Sequence, residues 1–133
     1  MLYAVLCYHD EAITGSWTPA EESAVVDRLI AVHDKYGDRF RPVLRLVPAS
    51  TAMNMKSGAA VMPDGPFAET KEQLLGIYTL DVDGLDDAVA IVADLSAANP
   101  TANYELRPLI AYITDAAFGP VQSIEGAQRD GSH

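Results

Sequence analysis

Leu2-Tyr3-Ala4-Val5-Leu6-Cys7-Tyr8 is followed, across Gly15-Ser16-Trp17, by Thr18-Pro19-Ala20-Glu21 and a run that closes at Gly37. The first segment is short, almost wholly apolar and flanked by polar residues, so it reads as a central strand and not as a helix. Thr18 supplies an N-cap, Pro19 suits the first helical position, and Glu21 at N3 completes a capping box. Val25, Leu29, Val32 and Tyr36 then recur at helical spacing, with Val26 and Ile30 widening the stripe. Gly37 fits the place just past a helix, where a left-handed residue is favoured.

The rest of the chain repeats the pattern. Phe40 to Val47 predicts a strand whose edges or bulge are marked by Pro42 and Pro48. Ser50 to Val61 predicts short strands around a turn near Lys56-Ser57-Gly58, and Pro63-Asp64-Gly65-Pro66 is dense turn chemistry. Leu75 to Val82 predicts another strand. Asp83 can cap a second helix that buries Leu85, Ala88, Val89, Val92 and Leu95 and closes at Asn99-Pro100. Tyr104 to Ile113 predicts the last strand, interrupted by Pro108.

Strand, helix, strand, hairpin, strand, helix, strand is the order of an α+β, ferredoxin-like split βαβ: an antiparallel sheet with two helices on one face. Two helices leave the other face open, yet Leu2 to Cys7 is apolar on both sides. A second copy of the same sheet is the economical cover, so a homodimer is expected. The expected organisation is one domain over residues 1–116 and a flexible tail over 117–133, since Gly126 to His133 is small and polar.

Composition bounds the function. The chain has 133 residues, 49% hydrophobic and 21% charged, enough for one core without a disulfide or metal staple. Nine Lys+Arg against nineteen Asp+Glu give a net charge of −10. The densest basic stretch is Arg39, Arg41 and Arg45, too sparse for a face that replaces counterions on nucleic acid or meets an anionic membrane. No stretch approaches a membrane span, and the N-terminal apolar segment lacks a basic n-region, so it reads as a strand. Cys7 is the single cysteine, which makes a reducing cytoplasm the expected compartment.

One segment is more specific than any periodicity: Asp64-Gly65-Pro66-Phe67-Ala68-Glu69-Thr70-Lys71-Glu72-Gln73-Leu74, followed by Gly76. It resembles the signature of the DGPF, or YCII-related, domain family. Tyr8-His9-Asp10-Glu11, Arg45-Leu46, Asp81-Val82 and Glu105-Leu106-Arg107-Pro108 sit where that family has similar residues. The resemblance covers about residues 1 to 113. It implies a ferredoxin-like fold that pairs sheet to sheet into a dimeric α/β barrel, in a family largely of unknown function. The related YciI proteins place a His and an Asp in one cleft. Their helix histidine falls near Ser23 or Ala24 here, so that dyad is not carried over. Some members are encoded beside extracytoplasmic-function sigma factors, which implies a regulatory setting.

The candidate site residues divide by chemistry. Asp64-Gly65-Pro66 reads first as a turn, while Phe67, Glu69, Thr70, Lys71 and Glu72 form a charged segment able to orient a polar ligand. Asp64 and His9 are the candidates for acid–base work. His9 follows a central strand, but adjacent strand residues point to opposite faces, so His9 and Asp10 do not form one pair. His33 reads as a helix C-terminal cation with a surface or capping role. Cys7 reads as a buried, inert thiol. There is no metal-binding motif and no phosphate loop or dinucleotide fingerprint, so neither a metal nor a cofactor is expected. Met53 and Met55 alternate, either as core filling or as a flexible pocket wall.

Arg45 lies between Leu44 and Leu46 and so faces away from them, toward a carboxylate of the Asp64 to Glu72 segment or an anionic ligand. These residues suggest a pocket between the sheet and that segment. Arg45 and Asp64 would be its polar groups, and Met53, Phe67 and Tyr78 its walls. A small polar or anionic molecule would bind there, in an enzyme or a carrier. The alternative is a non-enzymatic interaction module tied to transcription regulation, whose acidic surface meets a basic partner.

Overall fold

The structure, a computed structural model, describes residues 1–56, 58–62 and 72–113, with residues 56 and 59–62 as backbone. Six strands and three α-helices are present among them: β1 (Leu2–His9), α1 (Glu11–Thr14), α2 (Pro19–Tyr36), β2 (Phe40–Arg45), β3 (Asn54–Lys56), β4 (Ala59–Met62), β5 (Gln73–Asp81), α3 (Leu85–Ala98) and β6 (Asn103–Pro108). Four of the strands form one sheet in the order β2-β5-β1-β6, every neighbouring pair antiparallel. β3 and β4 form a separate two-stranded hairpin across Gly58, whose φ of 78° is left-handed. The architecture is α+β, and its strand order is consistent with a ferredoxin-like fold.

The start of α2 follows the capping box read from sequence. The Thr18 hydroxyl accepts from the Glu21 backbone N–H at 3.1 Å, and the Glu21 carboxylate accepts from the Thr18 N–H at 2.9 Å. Gly37 ends the helix with φ of 56°, a conformation that glycine adopts without the Cβ penalty. The start of α3 differs from the expectation. Gly84 and not Asp83 is the N-cap, and no side chain caps it.

The buried face of α3 also differs. Ala88, Ile91, Leu95 and Ala98 are buried, whereas Leu85 and Val89 are 56% and 51% exposed. The i, i+3, i+7, i+10 stripe won because its alanines let the helix approach the sheet closely. Two strands are shorter than expected. β2 stops at Arg45, ahead of Pro48, and β6 stops at Pro108, which lacks the N–H to extend a ladder. The short helix α1 was not expected; Asp10 caps it by accepting from the Ala12 N–H at 2.9 Å.

Register assigns the two faces of the sheet. Tyr3, Val5, Cys7 and His9 of β1 face the helices, with Leu80 and Tyr78 of β5 and Leu106 and Tyr104 of β6 beside them. The core sits there: Tyr3, Val5, Phe40, Leu80, Val82, Ala88, Ile91 and Leu95 form one buried cluster. The other face carries Leu2, Ala4, Leu6 and Tyr8, flanked by Thr79 and Ile77 of β5, Leu44 of β2, and Glu105 and Arg107 of β6. No described helix covers it. Arg41 is tied down at this end of the sheet, its guanidinium 2.9 Å from the largely buried Asp81 carboxylate.

Candidate functional site

The sheet forms its candidate site on the helix-facing side, under α2. Pairing aligns Arg45 of β2, Gly76 of β5, Cys7 of β1 and Tyr104 of β6 in one lateral row. Three of the four have side chains; Gly76 leaves a gap in the middle. A Cβ built on Gly76 would meet the Leu44 carbonyl oxygen at 3.0 Å, so a larger residue here would require β2 to give by a few tenths of an ångström. Directly beside it the ladder is irregular: Cys7 pairs with Gly76 but Tyr8 pairs with Leu74, which leaves Leu75 as an extra residue. Such bulges re-aim side chains and often border binding sites.

α2 roofs this floor incompletely. Val25, Leu29 and His33 fall at i, i+4 and i+8 on its inner face, and only Val25 is buried. Between this face and the sheet lies a cleft of about 250 Å³, walled by Val25, Val26, Leu29 and Ile30 above and by Val43, Gly76 and Tyr78 below. Cys7, His9, Trp17, His33, Arg45 and Asn99 bring polar or aromatic groups to it.

His9 is 1% exposed, and both ring nitrogens are engaged. Nδ1 lies 3.2 Å from the Asp10 carbonyl oxygen, which can only accept, so Nδ1 carries the proton. Nε2 lies 2.7 Å from Thr101 Oγ1 and, in the neutral ring, accepts the hydroxyl proton. The Trp17 ring meets His9 edge-on, centroids 5.4 Å apart. Through both ring nitrogens the imidazole joins the end of β1 to the turn before β6.

The thiol and the phenols are held neutral. Burial pushes the Cys7 thiol above its ordinary value of 9.0; the Tyr104 hydroxyl and the Arg45 charge oppose this more weakly. Burial likewise raises Tyr78, with Cys7 adding to the rise and Arg45 opposing it. Tyr104 is pushed strongly upward, first by burial, and its oxygen accepts from Asn99 Nδ2 at 3.2 Å. Cys7 is therefore a poor thiolate nucleophile at neutral pH. Arg45 is the cationic group whose charge reaches this row. Unlike Arg41, it makes no ion pair or hydrogen bond with a described residue.

The structure brings Arg45, Tyr78 and His9 to one cleft. Met53 is 68% exposed and does not line it. Asp64 and Phe67 lie outside the described residues, as does the tail over 114–133. Glu72, the described end of the signature's charged segment, accepts from Asn103 Nδ2 at 2.6 and 2.8 Å. The cleft lies between α2 and the sheet; the pocket expected between the sheet and the Asp64 to Glu72 segment involves residues that, Glu72 apart, lie outside the described ones. Trp17, His33 and Gly76 were missed as site residues. The signal for His33 was present, since it continues the Val25, Leu29 stripe by one turn; it stacks on Phe40 with centroids 4.6 Å apart. Among the described residues no three His, Cys, Asp or Glu side chains converge as a metal site, and no helix is long and apolar enough to cross a membrane.

An antiparallel four-stranded sheet with helices on one face and a cleft beneath one helix defines the class: an α+β domain with a helix-over-sheet pocket. Within that class the YCII-related domain model matches residues 1–112, so the chain belongs to the YCII-related domain family. It is 50% identical over 117 residues to a protein of Rhizobium meliloti (strain 1021) described only as uncharacterized, covering 84% of this chain and 94% of that relative.

Proposed function

We propose that this YCII-related domain binds a small anionic molecule with an apolar body in the cleft under α2. The observation that carries the reading is Arg45. Acidic residues outnumber basic ones nineteen to nine, so a base has ample choice of partners. Arg45 nevertheless takes none among the described residues and stands at the edge of an apolar cleft. A guanidinium in that position suits a carboxylate, which it can bind with two parallel hydrogen bonds. The neutral Cys7, Tyr78 and Tyr104 beside it add no competing negative charge, and Glu22 of α2 is the carboxylate that shares the described lining.

The test is a thermal-shift screen of small anions, cations and neutral molecules on the wild type and Arg45→Met. A ligand at 100 times its Kd adds about 2.7 kcal/mol of stability. Anions should stabilise the wild type and lose most of that effect in Arg45→Met. A screen in which no anion stabilises the wild type, or in which the variant responds equally, sinks the reading.

That sheet face, on which Leu2 and Ala4 are buried but Leu44 is exposed, supports a second copy of the chain as its further cover, giving a dimeric α/β barrel. Leu6, Ile77 and Leu44 form an apolar stripe there, with Leu44 53% exposed. Sedimentation at micromolar concentration should give a dimer; a folded monomer would contradict the barrel. The competing reading is an interaction module linked to a sigma factor. It draws on the outer face of α3, where Leu85 and Val89 are exposed beside the acidic Asp86 and Asp87. That reading expects Arg45→Met to be silent and charge reversal on α3 to abolish partner binding.

A further inference from the structure

We propose that the anion of this cleft is planar: an aromatic or conjugated monocarboxylate whose flat body lies on the backbone of Gly76 while its carboxylate meets Arg45. The inference rests on the anion-binding reading above and narrows it. Arg45 and Cys7 occupy strands on either side of β5, so their backbones stand about 10 Å apart, two strand spacings. Gly76 lies between them, and its φ is not one of the left-handed ones. The close approach of the Leu44 carbonyl, and not a turn, is the structural reason for a glycine here. What the glycine provides is a floor with no side chain standing on it, in the middle of a row that otherwise projects an arginine, a thiol and a phenol.

The roof and the far wall match a flat occupant. Val26, Leu29 and Ile30 come down from α2 as aliphatic groups, so a ring on the Gly76 backbone has apolar contact on both faces. Tyr78 stands two residues further along β5 on the same side, placed for the offset or edge-on contact that aromatic rings prefer. At about 250 Å³ the cleft is smaller than the roughly 300–1,000 Å³ typical of drug-sized ligand sites, which limits the occupant to one or two rings. With one guanidinium in the lining and the Glu22 carboxylate also at the cleft, one carboxylate fits better than a dianion.

Calorimetric titration of the full chain with four matched probes tests this. These are trans-cinnamate, its saturated counterpart 3-cyclohexylpropionate, hexanoate and the neutral cinnamamide. Cinnamate should bind about tenfold more tightly than either saturated acid, the scale of an aromatic contact, and cinnamamide should bind far more weakly than cinnamate. Equal affinity for planar and saturated acids overturns planarity and leaves the anion reading standing. Equal affinity for cinnamate and cinnamamide, or no binding of any acid, overturns both.

Gly76→Ala is the direct probe of the floor, but its Cβ crowds the Leu44 carbonyl and can unseat β2. Val26→Phe fills the slot from the helix side without touching the sheet. It should keep a wild-type melting temperature and reduce cinnamate affinity at least about tenfold. Wild-type affinity in Val26→Phe places the ligand elsewhere and overturns the proposal.

Discussion

The two halves of the helical layer obey the same folding rule and end differently. Under α3 the sheet is sealed: Ile91, Leu95 and Ala88 are fully buried against Val5 and Leu80. Under α2 only Val25 is buried, Ile30 is 51% exposed, and the space between helix and sheet remains a cleft. The difference lies in what each helix sets against the sheet. Alanines at positions 88 and 98 let α3 settle close. Branched residues on α2 meet a sheet row with a glycine at its centre, so helix and floor do not interlock. One half stabilises the domain, and the other half leaves a cleft.

That contrast can be broken by truncation. Ile91→Ala should cost about 2–5 kcal/mol, the range for emptying a well-packed site. Ile30→Ala, at the mouth of the cleft, should change stability by no more than about 0.5 kcal/mol. Urea midpoints of the two variants measure both. Equal losses would mean that the α2 side is packed as tightly as the α3 side.

Alkaline pH should weaken the cleft side next. Burial holds Cys7, Tyr78 and Tyr104 above their ordinary values of 9.0 and 10.0. Below the ordinary values all three are neutral in both states, and their contribution to stability is fully present. As pH rises past about 9 the unfolded chain gives up these protons first, the folded chain retains more of them, and stability falls. Melting temperature should therefore drop by several degrees between neutral pH and the range where the folded groups titrate. Arg45→Met should steepen the drop, because the Arg45 charge lowers Tyr78 and, after the Tyr104 hydroxyl, Cys7. A flat profile in both proteins would show that these groups are better solvated than the structure implies.

The helix starts allow finer tests. Thr18→Ala removes one side of the α2 capping box and should cost about 1 kcal/mol. Gly84, the N-cap of α3, has extended backbone and open space where a Cβ would stand, and no side chain caps that helix. Gly84→Ser should therefore raise stability by a few tenths of a kcal/mol, through a new cap and a less flexible unfolded chain. Thermal melts at one pH rank the pair. A Thr18→Ala protein as stable as the wild type would mean that packing alone holds the α2 start.

The sequence on its own was most informative where the determinant is local. Thr18, Pro19, Glu21 and Gly37 placed both ends of α2, because capping depends on residues three or four apart. It was misleading at α3. Leu85 and Val89 are as apolar as the residues that are buried, and only the approach of the helix to Leu80 and Val5 selects one stripe over the other.

The alternation of strands and helices, the apolar strand on two sides and the signature ending at Gly76 were all written in the sequence, and they determined the α+β order and the family. Tertiary structure decided where the candidate site is. Arg45, Gly76, Cys7 and Tyr104 are far apart along the chain, and only the register of β2, β5, β1 and β6 sets them in one row. Whether Gly76 is a turn, a strand defect or a pocket floor depends on the carbonyl of Leu44 beside it and on a helix that stops short of it. Those are long-range distances, fixed by packing and invisible to any local pattern.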